Sequence, residues 1–265
     1  MTMPIVISIA IEKGGVAKTA TTHNLGDALA LSGKRVLMLD LDPQRSLTLW
    51  AGFSQEQIDQ LDAQEHTLYF AMKGGDPNPM ITGEPAKIIP GTQLLASLQE
   101  FFTRDPLNAP FMLRDLIARI SDPFDYILID CPPSLGLLTM NALVASNLVL
   151  VPAKTDYTSV AGFSDIVNTI REVRRRANPQ LKVAGVLPTL YNKGYSEDQT
   201  VLDQLTRSSH AAGFRMFAPI PRNTAVDKSA GFGKSAVVLY PEAPASKAYV
   251  QLAQSILTTI YDQAA

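Results

Sequence analysis

Five short apolar runs recur along the chain, and stretches with helical patterning separate them. The runs cover residues 5–11, 35–40, 126–130, 148–152 and 183–187. Each consists of consecutive β-branched and leucine side chains rather than alternating apolar and polar ones, which is typical of strands covered on both faces. Because strands alternate with helices, the pattern predicts an α/β fold with a doubly wound, mostly parallel sheet and helices on both of its faces.

Outside these runs, two stretches have helical patterning and one is irregular. Residues 19–32 predict a helix, and residues 245–261 place four apolar side chains at helical spacing, Tyr249, Leu252, Ile256 and Ile260. Since the opposite face of the second helix is not basic, packing against a core is favoured over binding to a membrane surface. We interpret the irregular residues 52–90 as an elaboration of one domain that spans residues 1–265.

The residues between the first run and the first helix are typical of a phosphate-binding loop. They read Glu12-Lys13-Gly14-Gly15-Val16-Ala17-Lys18-Thr19. In such a loop, backbone N–H groups and a helix N-terminus point at phosphate oxygens, a lysine adds positive charge, and a hydroxyl reaches Mg²⁺. Lys18 and Thr19 occupy the positions of that lysine and that hydroxyl.

The loop departs from the usual pattern G-x-x-x-x-G-K-[ST] at both glycine positions. Glu12 stands in the first glycine position and Ala17 in the second, so a strict motif search misses the loop. An additional lysine, Lys13, precedes Lys18 by five positions. A short loop around one triphosphate has little use for two lysines of the same chain, which indicates that one of them reaches a different nucleotide.

Carboxylates close two of the predicted strands. Asp40 and Asp42 follow the second run, and Asp130 ends the third. Ligands of parallel sheets bind beyond the carboxyl ends of the strands, so Asp130 is a candidate to hold Mg²⁺ opposite Thr19. Asp40 and Asp42 have period-two spacing, which allows one to lie near Mg²⁺ and the other to orient the attacking water. Asp42 before Pro43 is also a candidate helix N-cap, and the two roles are compatible.

Composition narrows the class of protein. Apolar residues make up 46% of the chain, which is ample for a large core, and the formal net charge is −2. Any binding to nucleic acid therefore needs a local basic patch. Cys131 is the single cysteine, which excludes an internal disulfide and fits a reducing compartment. The N-terminal apolar run is too short for a signal or membrane helix, so we expect a cytoplasmic protein.

The remaining chemistry-bearing residues give no separate site. The three histidines, His23, His66 and His210, lack metal-ligand spacing and are interpreted as structural or surface residues. Cys131 has no histidine near it in sequence and is interpreted as a buried small side chain. Trp50, with Leu47 and Leu49, is interpreted as core or interface packing.

Several motifs together resemble the ParA/MinD family of deviant Walker A, P-loop ATPases. The motifs lie at residues 13–19, 39–44, 129–133, 220–223, 233–234 and 246–249. They follow the family's order and span nearly the whole chain. Within the family, the chain is most similar to short, Soj-like ParA partition proteins, because it lacks the helix-turn-helix extension of the larger ParA type. It also lacks the basic amphipathic tail of the membrane-bound MinD branch.

The resemblance implies ATP and Mg²⁺ as cofactors and assigns roles to individual residues. Lys18 would contact the β- and γ-phosphates, and Lys13 would reach the nucleotide of a partner subunit in an ATP-dependent sandwich dimer. Asp42 would position the hydrolytic water. Thr19 and Asp130 would hold Mg²⁺, with Asp40 as a further candidate. The nucleotide-binding residues would be Lys13, Gly14, Gly15, Val16, Ala17, Lys18, Thr19 and Ala20, with Pro219, Pro221 and Asn223 at the adenine.

Three departures from the family pattern bear on nucleotide handling. Glu12 places a carboxylate beside the loop, and Ala20 removes a hydroxyl often present after the threonine. Ala17 adds a methyl group close to the phosphates. If its φ is positive, alanine costs roughly 1 kcal/mol or more, and if its φ is negative the change is mild. Together these departures predict weaker or slower nucleotide handling.

The resemblance also implies non-specific binding to DNA, a ParB-like or cargo-adaptor partner that stimulates hydrolysis, and no membrane. Phosphate contacts without base readout need a positive surface that dimerisation completes. The candidates are Lys193, Arg207, Arg215, Arg222, Lys228 and Lys234. A second cluster, Arg171 with residues 174–176, is interpreted as a solvated helix end. The location implied is the nucleoid within the cytoplasm.

Three functions stay open beside segregation of plasmid or chromosome DNA. The cargo of a positioning ATPase can equally be a protein assembly, such as a chemosensory cluster or a microcompartment. The same P-loop scaffold also carries small-molecule enzymes such as synthetases and reductase-type ATPases. Finally, Ala17 and Ala20 are compatible with a nucleotide-gated binding module of negligible hydrolysis.

Overall fold

Six parallel strands form the centre of the molecule. The computed structural model describes residues 3–264, with side chains described throughout that range except at residues 157, 158, 160, 161 and 259–264. The strands are β1 (Ile5–Ile9), β2 (Val36–Asp40), β3 (Lys87–Ile89), β4 (Tyr126–Asp130), β5 (Leu148–Lys154) and β6 (Lys182–Thr189). They lie in the order β3-β2-β4-β1-β5-β6, and all five pairings are parallel. The predicted α/β class with a parallel sheet is confirmed.

The helices connect these strands and cover both faces of the sheet. They are α1 (Lys18–Leu31), α2 (Ser46–Trp50), α3 (Gln55–Ala63), α4 (Leu68–Met72), α5 (Leu98–Arg104), α6 (Met112–Ile117), α7 (Leu137–Ala145), α8 (Tyr157–Arg176), α9 (Ser196–Ala211), α10 (Thr224–Ala230), α11 (Ala236–Leu239) and α12 (Pro244–Ala264). Within the described residues, no helix combines the length and apolar character needed to cross a membrane.

Two hydrophobic cores lie on opposite faces of the sheet. Successive strand residues point to opposite faces, so Ile127 and Ile129 enter one core while Leu128 enters the other. The first core packs against α4 to α9, and the second packs against α1, α2 and α10 to α12. Because each strand is buried on both faces, its sequence reads as a continuous apolar run.

The structure differs from the predicted elements mainly at their ends. β1 ends at Ile9 rather than at residue 11, because the chain there turns into the loop that precedes α1. The irregular residues 52–90 contain α3, α4 and the three-residue strand β3, which is too short to give a pattern. The last helix packs in the core as predicted, with Tyr249, Leu252 and Ile256 buried, while the side chain of Ile260 lies outside the described residues.

Candidate nucleotide site

The carboxyl edge of the sheet brings three predicted segments together. Asp130 at the end of β4 lies beside Ile9 of β1 on one side and beside Asp40 of β2 on the other. The loop that follows Ile9 and the turn that follows Asp40 therefore start from neighbouring strand ends. Ligand sites of parallel sheets occupy this edge.

The loop between β1 and α1 takes left-handed backbone angles at two positions. Gly15 has φ of 70°, and Ala17 has φ of 62° with ψ of 34°. α1 begins directly after Ala17, whose carbonyl accepts a hydrogen bond from Thr21 N at 2.9 Å. Glycine adopts these angles without a Cβ clash, whereas alanine stores about 1 kcal/mol of strain. The loop is therefore strained at the second of its departures from the usual glycine pattern.

Lys18 is held inside this loop. Its Nζ donates to the backbone oxygen of Lys13 at 2.6 Å, and only 7% of the residue is exposed. Burial lowers the pKa of Lys18, while the neighbouring carboxylate of Asp130 opposes that effect. A buried ammonium group with a single carbonyl partner in the loop is suited to bind an anion that enters beside it.

Thr19 and Asp130, the two residues predicted to hold Mg²⁺, lie in contact at the start of α1. Thr19 Oγ1 donates to Asp130 Oδ2 at 2.8 Å, and Thr22 Oγ1 donates to Asp130 Oδ1 at 3.1 Å. Burial first, and the charge of Asp40 second, raise the pKa of Asp130 to about 8. A buried carboxylate beside a hydroxyl fits a hard cation, because oxygen ligands are those that Mg²⁺ prefers.

Asp40 anchors the helix α2 through hydrogen bonds to Thr48. It is fully buried, and its Oδ2 accepts hydrogen bonds from Thr48 N at 2.7 Å and from Thr48 Oγ1 at 2.6 Å. The Thr48 hydroxyl also accepts a bond from Gly91 N at 2.8 Å. Burial raises the pKa of Asp40 to about 7. Of the two acids of the predicted pair, Asp40 therefore anchors the segment that carries the other.

Asp42 lies one turn beyond the strand and faces the cavity. Only 9% of it is exposed, and its Oδ1 accepts a hydrogen bond from Gln44 N at 2.9 Å. The N-cap position of α2 belongs to Arg45, which has φ of 49° and makes no side-chain cap bond. Asp42 therefore stabilises the turn before α2 rather than capping the helix, and its carboxylate lines the cavity beside the phosphate loop.

Lys13 is paired within its own chain. Its Nζ donates to Asp156 Oδ1 and, at 3.1 Å, to Ser159 Oγ. Asp156 is the N-cap of α8, where its Oδ1 accepts a bond from Ser159 N at 3.0 Å, and its Oδ2 lies 3.2 Å from Lys154 Nζ. Two lysines thus share one carboxylate at the start of α8. The partner of Lys13 lies 143 positions away in sequence, and no motif points to it.

A cavity of about 490 Å³ opens between the phosphate loop and α10. Of the predicted site residues, it is lined by Gly14, Gly15, Ala17, Lys18, Thr19, Ala20, Asp42, Pro221, Arg222 and Asn223. Val16 is instead buried in the core, and its backbone oxygen accepts a bond from Thr189 Oγ1 at 3.0 Å. Of the three residues predicted at the adenine, Pro221 and Asn223 line this cavity, whereas Pro219 is not among its lining residues in the part of the chain that the structure describes.

Five other lining residues were given no role at the cavity from the sequence: no motif marks four of them, and Tyr249 lies in the motif at residues 246–249. Trp50, Tyr249, Val226, Asp227 and Leu190 belong to the wall of this cavity, and Leu190 has a left-handed φ of 55°. For Trp50 and Tyr249 the sequence indicates only core or interface packing. Tyr249 is indeed 1% exposed, and burial raises its pKa to about 12. Trp50 is only partly buried and lies at the cavity.

The remaining residues with possible chemistry are structural. Cys131 is buried, and burial raises the pKa of its thiol well above the ordinary value. His23 Nε2 lies 3.8 Å from Asp27 inside the protein, and burial lowers the pKa of this histidine. His66 is partly buried and His210 is exposed. Among the described residues, His, Cys, Asp and Glu form no group of three or more that would hold a metal ion.

The structure separates the six basic candidates for DNA binding. All six are exposed. Arg222, Lys193 and Lys228 lie on or near the loops at the carboxyl edge. Residues 215–221 run beside β6, where Arg215 O accepts a bond from Val186 N and Arg222 N donates to Tyr191 O. Since five to six extended residues span about 20 Å, Arg215 lies far from Arg222 along the direction of β6. Arg207, near the end of α9, lies on the same side as Arg215.

The arginine cluster at the end of α8 is engaged locally. Arg175 and Arg176 both pair with Glu172, at 2.7 Å and 3.0 Å, and Arg174 Nε donates to Leu181 O at 2.6 Å. These contacts agree with the interpretation of a solvated helix end.

Comparison with known proteins identifies the family. A family model described as an AAA domain matches residues 5–183. The chain is 33% identical over 267 residues to the chromosome partitioning protein ParA of Caulobacter vibrioides, which covers 98% of this chain and 96% of that protein. It is also 33% identical over 254 residues to the sporulation initiation inhibitor protein Soj of Bacillus subtilis, which covers 95% and 97% of the two chains.

Solved structures share the fold over the same length. Cobyrinic acid a,c-diamide synthase from Mycobacterium smegmatis, with bound ATP analog and magnesium, matches with a TM-score of 0.84 at 30% identity, covering 96% of this chain and 94% of that one. A complex of a Cyanothece McdA variant with ATP matches in fold with a TM-score of 0.84 at 22% identity, covering 97% and 98%.

A parallel sheet with a phosphate loop at its carboxyl edge defines the class of P-loop nucleotide-binding proteins. Together with relatives that are 33% identical over nearly the full chain, this shows that the chain belongs to the ParA/MinD family of ATPases.

Proposed function

We propose that this protein is a ParA-type ATPase that binds ATP with Mg²⁺ in the cavity at the carboxyl edge of the sheet. The observation that carries the proposal is the joint placement of Lys18, Thr19 and Asp42 on one cavity wall, with Asp130 behind Thr19. Structural relatives bind an ATP analog or ADP with magnesium, which supports the same cofactors here.

Each of these residues has a role in hydrolysis that follows from its surroundings. The phosphate loop and the N-terminus of α1 offer N–H groups to the phosphates, and the ammonium group of Lys18 exchanges its carbonyl partner for a phosphate oxygen. Thr19 and Asp130 would hold Mg²⁺, which neutralises charge on the phosphates. Asp42 lines the cavity, where its carboxylate would accept a hydrogen bond from the attacking water and so orient it.

The proposed active form is a dimer in which two subunits enclose two nucleotides. In it, Lys13 leaves Asp156 and Ser159 and contacts the partner's ATP, so a charge-assisted bond within the chain is exchanged for one between chains. Asp156 keeps a positive neighbour after this exchange, because Lys154 lies 3.2 Å from its Oδ2. The bond between Lys13 and Asp156 within one chain thus opposes dimerisation, whereas bound ATP favours dimerisation because it offers Lys13 a new partner.

The oligomeric state tests this proposal. Light scattering of the wild type should show a dimer with ATP and Mg²⁺ and a monomer with ADP or without nucleotide. Lys13→Ala should stay monomeric under all conditions while still binding ADP. Asp156→Asn should dimerise at several-fold lower ATP, because Lys13 loses its ionic partner. The exposed Lys182, on the first residue of β6, provides the control: Lys182→Ala should behave as the wild type. A Lys13→Ala variant that dimerises normally on ATP would contradict the dimer model.

We further propose that the ATP-bound dimer binds DNA non-specifically through Arg222, Lys193 and the other exposed cations, in the cytoplasm and on the nucleoid. The relatives from Caulobacter vibrioides and Thermus thermophilus are named as chromosome partitioning proteins, which supports segregation of DNA as the activity served. A ParB-like protein or a cargo adaptor would stimulate otherwise slow hydrolysis. The same motifs are compatible with a protein assembly as cargo. Co-purification of the protein with a large protein complex, rather than with a DNA-bound adaptor, would indicate this alternative.

A synthetase is the second candidate, because a structural relative at 30% identity is named cobyrinic acid a,c-diamide synthase. Such an enzyme transfers the energy of ATP to a metabolite, so its ATP turnover rises when the acid substrate and an amide donor are added. Unchanged turnover with these compounds, together with stimulation by DNA and partner, would favour the partition ATPase. A single-turnover measurement with DNA and partner separates either enzyme from a binding module with negligible hydrolysis.

A further inference from the structure

The single tryptophan of the chain faces the nucleotide cavity. Trp50 is the last residue of α2 and is partly exposed, and within the described residues its indole N–H has no hydrogen-bond partner. Tryptophan in a protein interior usually finds a partner for this group. A half-exposed indole with a free donor, turned to a cavity, is available to contact a ligand.

The backbone holds Trp50 firmly from both sides. Before it, Leu47 is fully buried in the core, and Thr48 is bonded to Asp40 through both N and Oγ1. After it, the chain at Gly52 packs on the loop that follows α10, so closely that a Cβ added to Gly233 would lie 2.5 Å from Gly52 Cα. Trp50 therefore forms a fixed wall of the cavity rather than a mobile surface side chain.

The surrounding wall suits a flat heterocycle. Besides Trp50, the lining of this cavity includes the apolar side chains of Ile220, Pro221 and Val226, and polar side chains that include Asn223. Cavities of this composition hold planar ligands by packing and orient them by a small number of polar contacts. The phosphate loop lines the same cavity, so a nucleotide seated on the loop extends its base along this wall.

We propose that Trp50 stacks on the base of the bound nucleotide and makes the site select a nucleoside di- or triphosphate over inorganic polyphosphate. This inference rests on the proposed function, since it needs ATP or ADP in this cavity. Aromatic stacking on a base strengthens binding by about tenfold. Because α2 and the turn before it join Trp50 to Asp42, one fixed segment would hold both the base and the proposed water-positioning carboxylate.

Intrinsic fluorescence of the only tryptophan tests the contact directly. ADP, titrated into the monomer with Mg²⁺, should quench Trp50, whereas inorganic tripolyphosphate should bind without quenching. Trp50→Ala should weaken ADP binding about tenfold in calorimetry and leave tripolyphosphate binding unchanged. Trp50→Phe should recover most of the ADP affinity, since phenylalanine keeps an aromatic face. Leu49→Ala, at an exposed position of the same helix, is the matched control and should bind ADP as the wild type does.

Several results would overturn the inference. Equal quenching by tripolyphosphate would mean that Trp50 reports a movement of α2 and not the base. Equal loss of ADP and tripolyphosphate binding in Trp50→Ala would indicate a structural role, and unchanged ADP binding would exclude the contact. A wild type that dimerises on ATP without any fluorescence response to ADP would remove this inference alone. A wild type that binds no ADP would remove the proposed function as well.

Discussion

Backbone strain at single residues is concentrated around the cavity. Four residues other than glycine have positive φ in the described part of the chain, and Ala17 and Leu190 line the cavity while Arg45 precedes α2 beside it. Left-handed angles at such residues cost free energy and persist only where the surrounding structure fixes them. The strain at Ala17 therefore belongs to the phosphate loop itself, at the residue whose carbonyl starts α1.

Relief of this strain gives a prediction with a defined sign. Ala17→Gly should raise the free energy of unfolding of the nucleotide-free protein by about 1 kcal/mol, because glycine adopts φ of 62° without a Cβ clash. Ala30→Gly, within the same helix α1, should lower it by about 1 kcal/mol. Urea unfolding monitored by circular dichroism measures both. Destabilisation by Ala17→Gly comparable to that by Ala30→Gly would show that the loop does not hold the left-handed angle in solution.

Local sequence patterns located the loop but not its contacts. A short motif is enough to predict that Lys18 and Thr19 lie in the phosphate loop, because the residues of the motif are adjacent in sequence and form one turn. The pairing of Lys13 with Asp156 joins segments 143 positions apart, and no periodicity encodes it. The sequence also left the φ of Ala17 open, because the sign of φ depends on how β1 and α1 are joined in three dimensions. The Lys13–Asp156 contact and the backbone angle of Ala17 both depend on tertiary structure, so they are seen only in the three-dimensional structure.

At the scale of elements, neighbouring strands place two carboxylates side by side. Asp40 and Asp130 are register partners at the ends of β2 and β4, and both are buried. Desolvation raises their pKa values, to about 7 for Asp40 and to about 8 for Asp130, and the negative charge of Asp40 adds to the shift of Asp130. The two strands thus place side by side two carboxyl groups that keep their protons to unusually high pH, and a bound cation would favour their ionised forms.

This pair predicts a pH dependence. A carboxyl group with a raised pKa stabilises the fold fully below its unfolded value and loses that contribution as pH rises through the folded value, here through about 7 and 8. The nucleotide-free protein should therefore lose stability as pH rises from the ordinary carboxyl value of 3.8 up to about 7 to 8, and its stability should level off above that range. ATP with Mg²⁺ should reduce the loss. Calorimetric titration in buffers of different ionisation enthalpy should show release of about one proton on binding near pH 7 and less near pH 9. Binding enthalpies at neutral pH that are independent of the buffer would contradict it.

The apolar pattern predicted elements well where each is long and buried on both faces. Five of the six strands lie within two residues of their predicted ends, because β1, β2, β4, β5 and β6 read as continuous apolar runs. β5 extends to Lys154, two residues past its run, since its pairing with β6 continues there. β3 was missed because three residues at the sheet edge carry too little pattern. The cavity wall from α2 and α10 was missed for another reason: it is assembled by packing between helices distant in sequence.

At the scale of the whole molecule, the net charge of −2 disfavours general attraction to DNA. Attraction must come from a surface where cations gather, and the structure leaves Arg222, Lys193 and Lys228 exposed near the carboxyl edge while it places Arg215 about 20 Å away along the direction of β6. Lys13, which contacts the partner's nucleotide in the proposed dimer, lies in the loop at the same edge. Dimerisation through this edge would bring the cations of two subunits together, and that makes the proposed DNA binding dependent on ATP.

DNA binding should therefore depend on ATP, on salt and on only some of the cations. Fluorescence anisotropy with a labelled duplex should show binding with ATP alone, insensitive to sequence, and an affinity that falls steeply between about 50 and about 200 mM salt. Lys193→Ala, outside the cavity wall, should reduce the slope of log affinity against log salt by about one contact per subunit. Arg222→Ala should do the same, provided its ATP affinity is shown to be intact. Arg175→Ala, at a position paired with Glu172, is the control and should leave the slope unchanged. Equal binding without nucleotide, or a slope altered by Arg175→Ala and not by Lys193→Ala, would place the DNA surface elsewhere on the molecule.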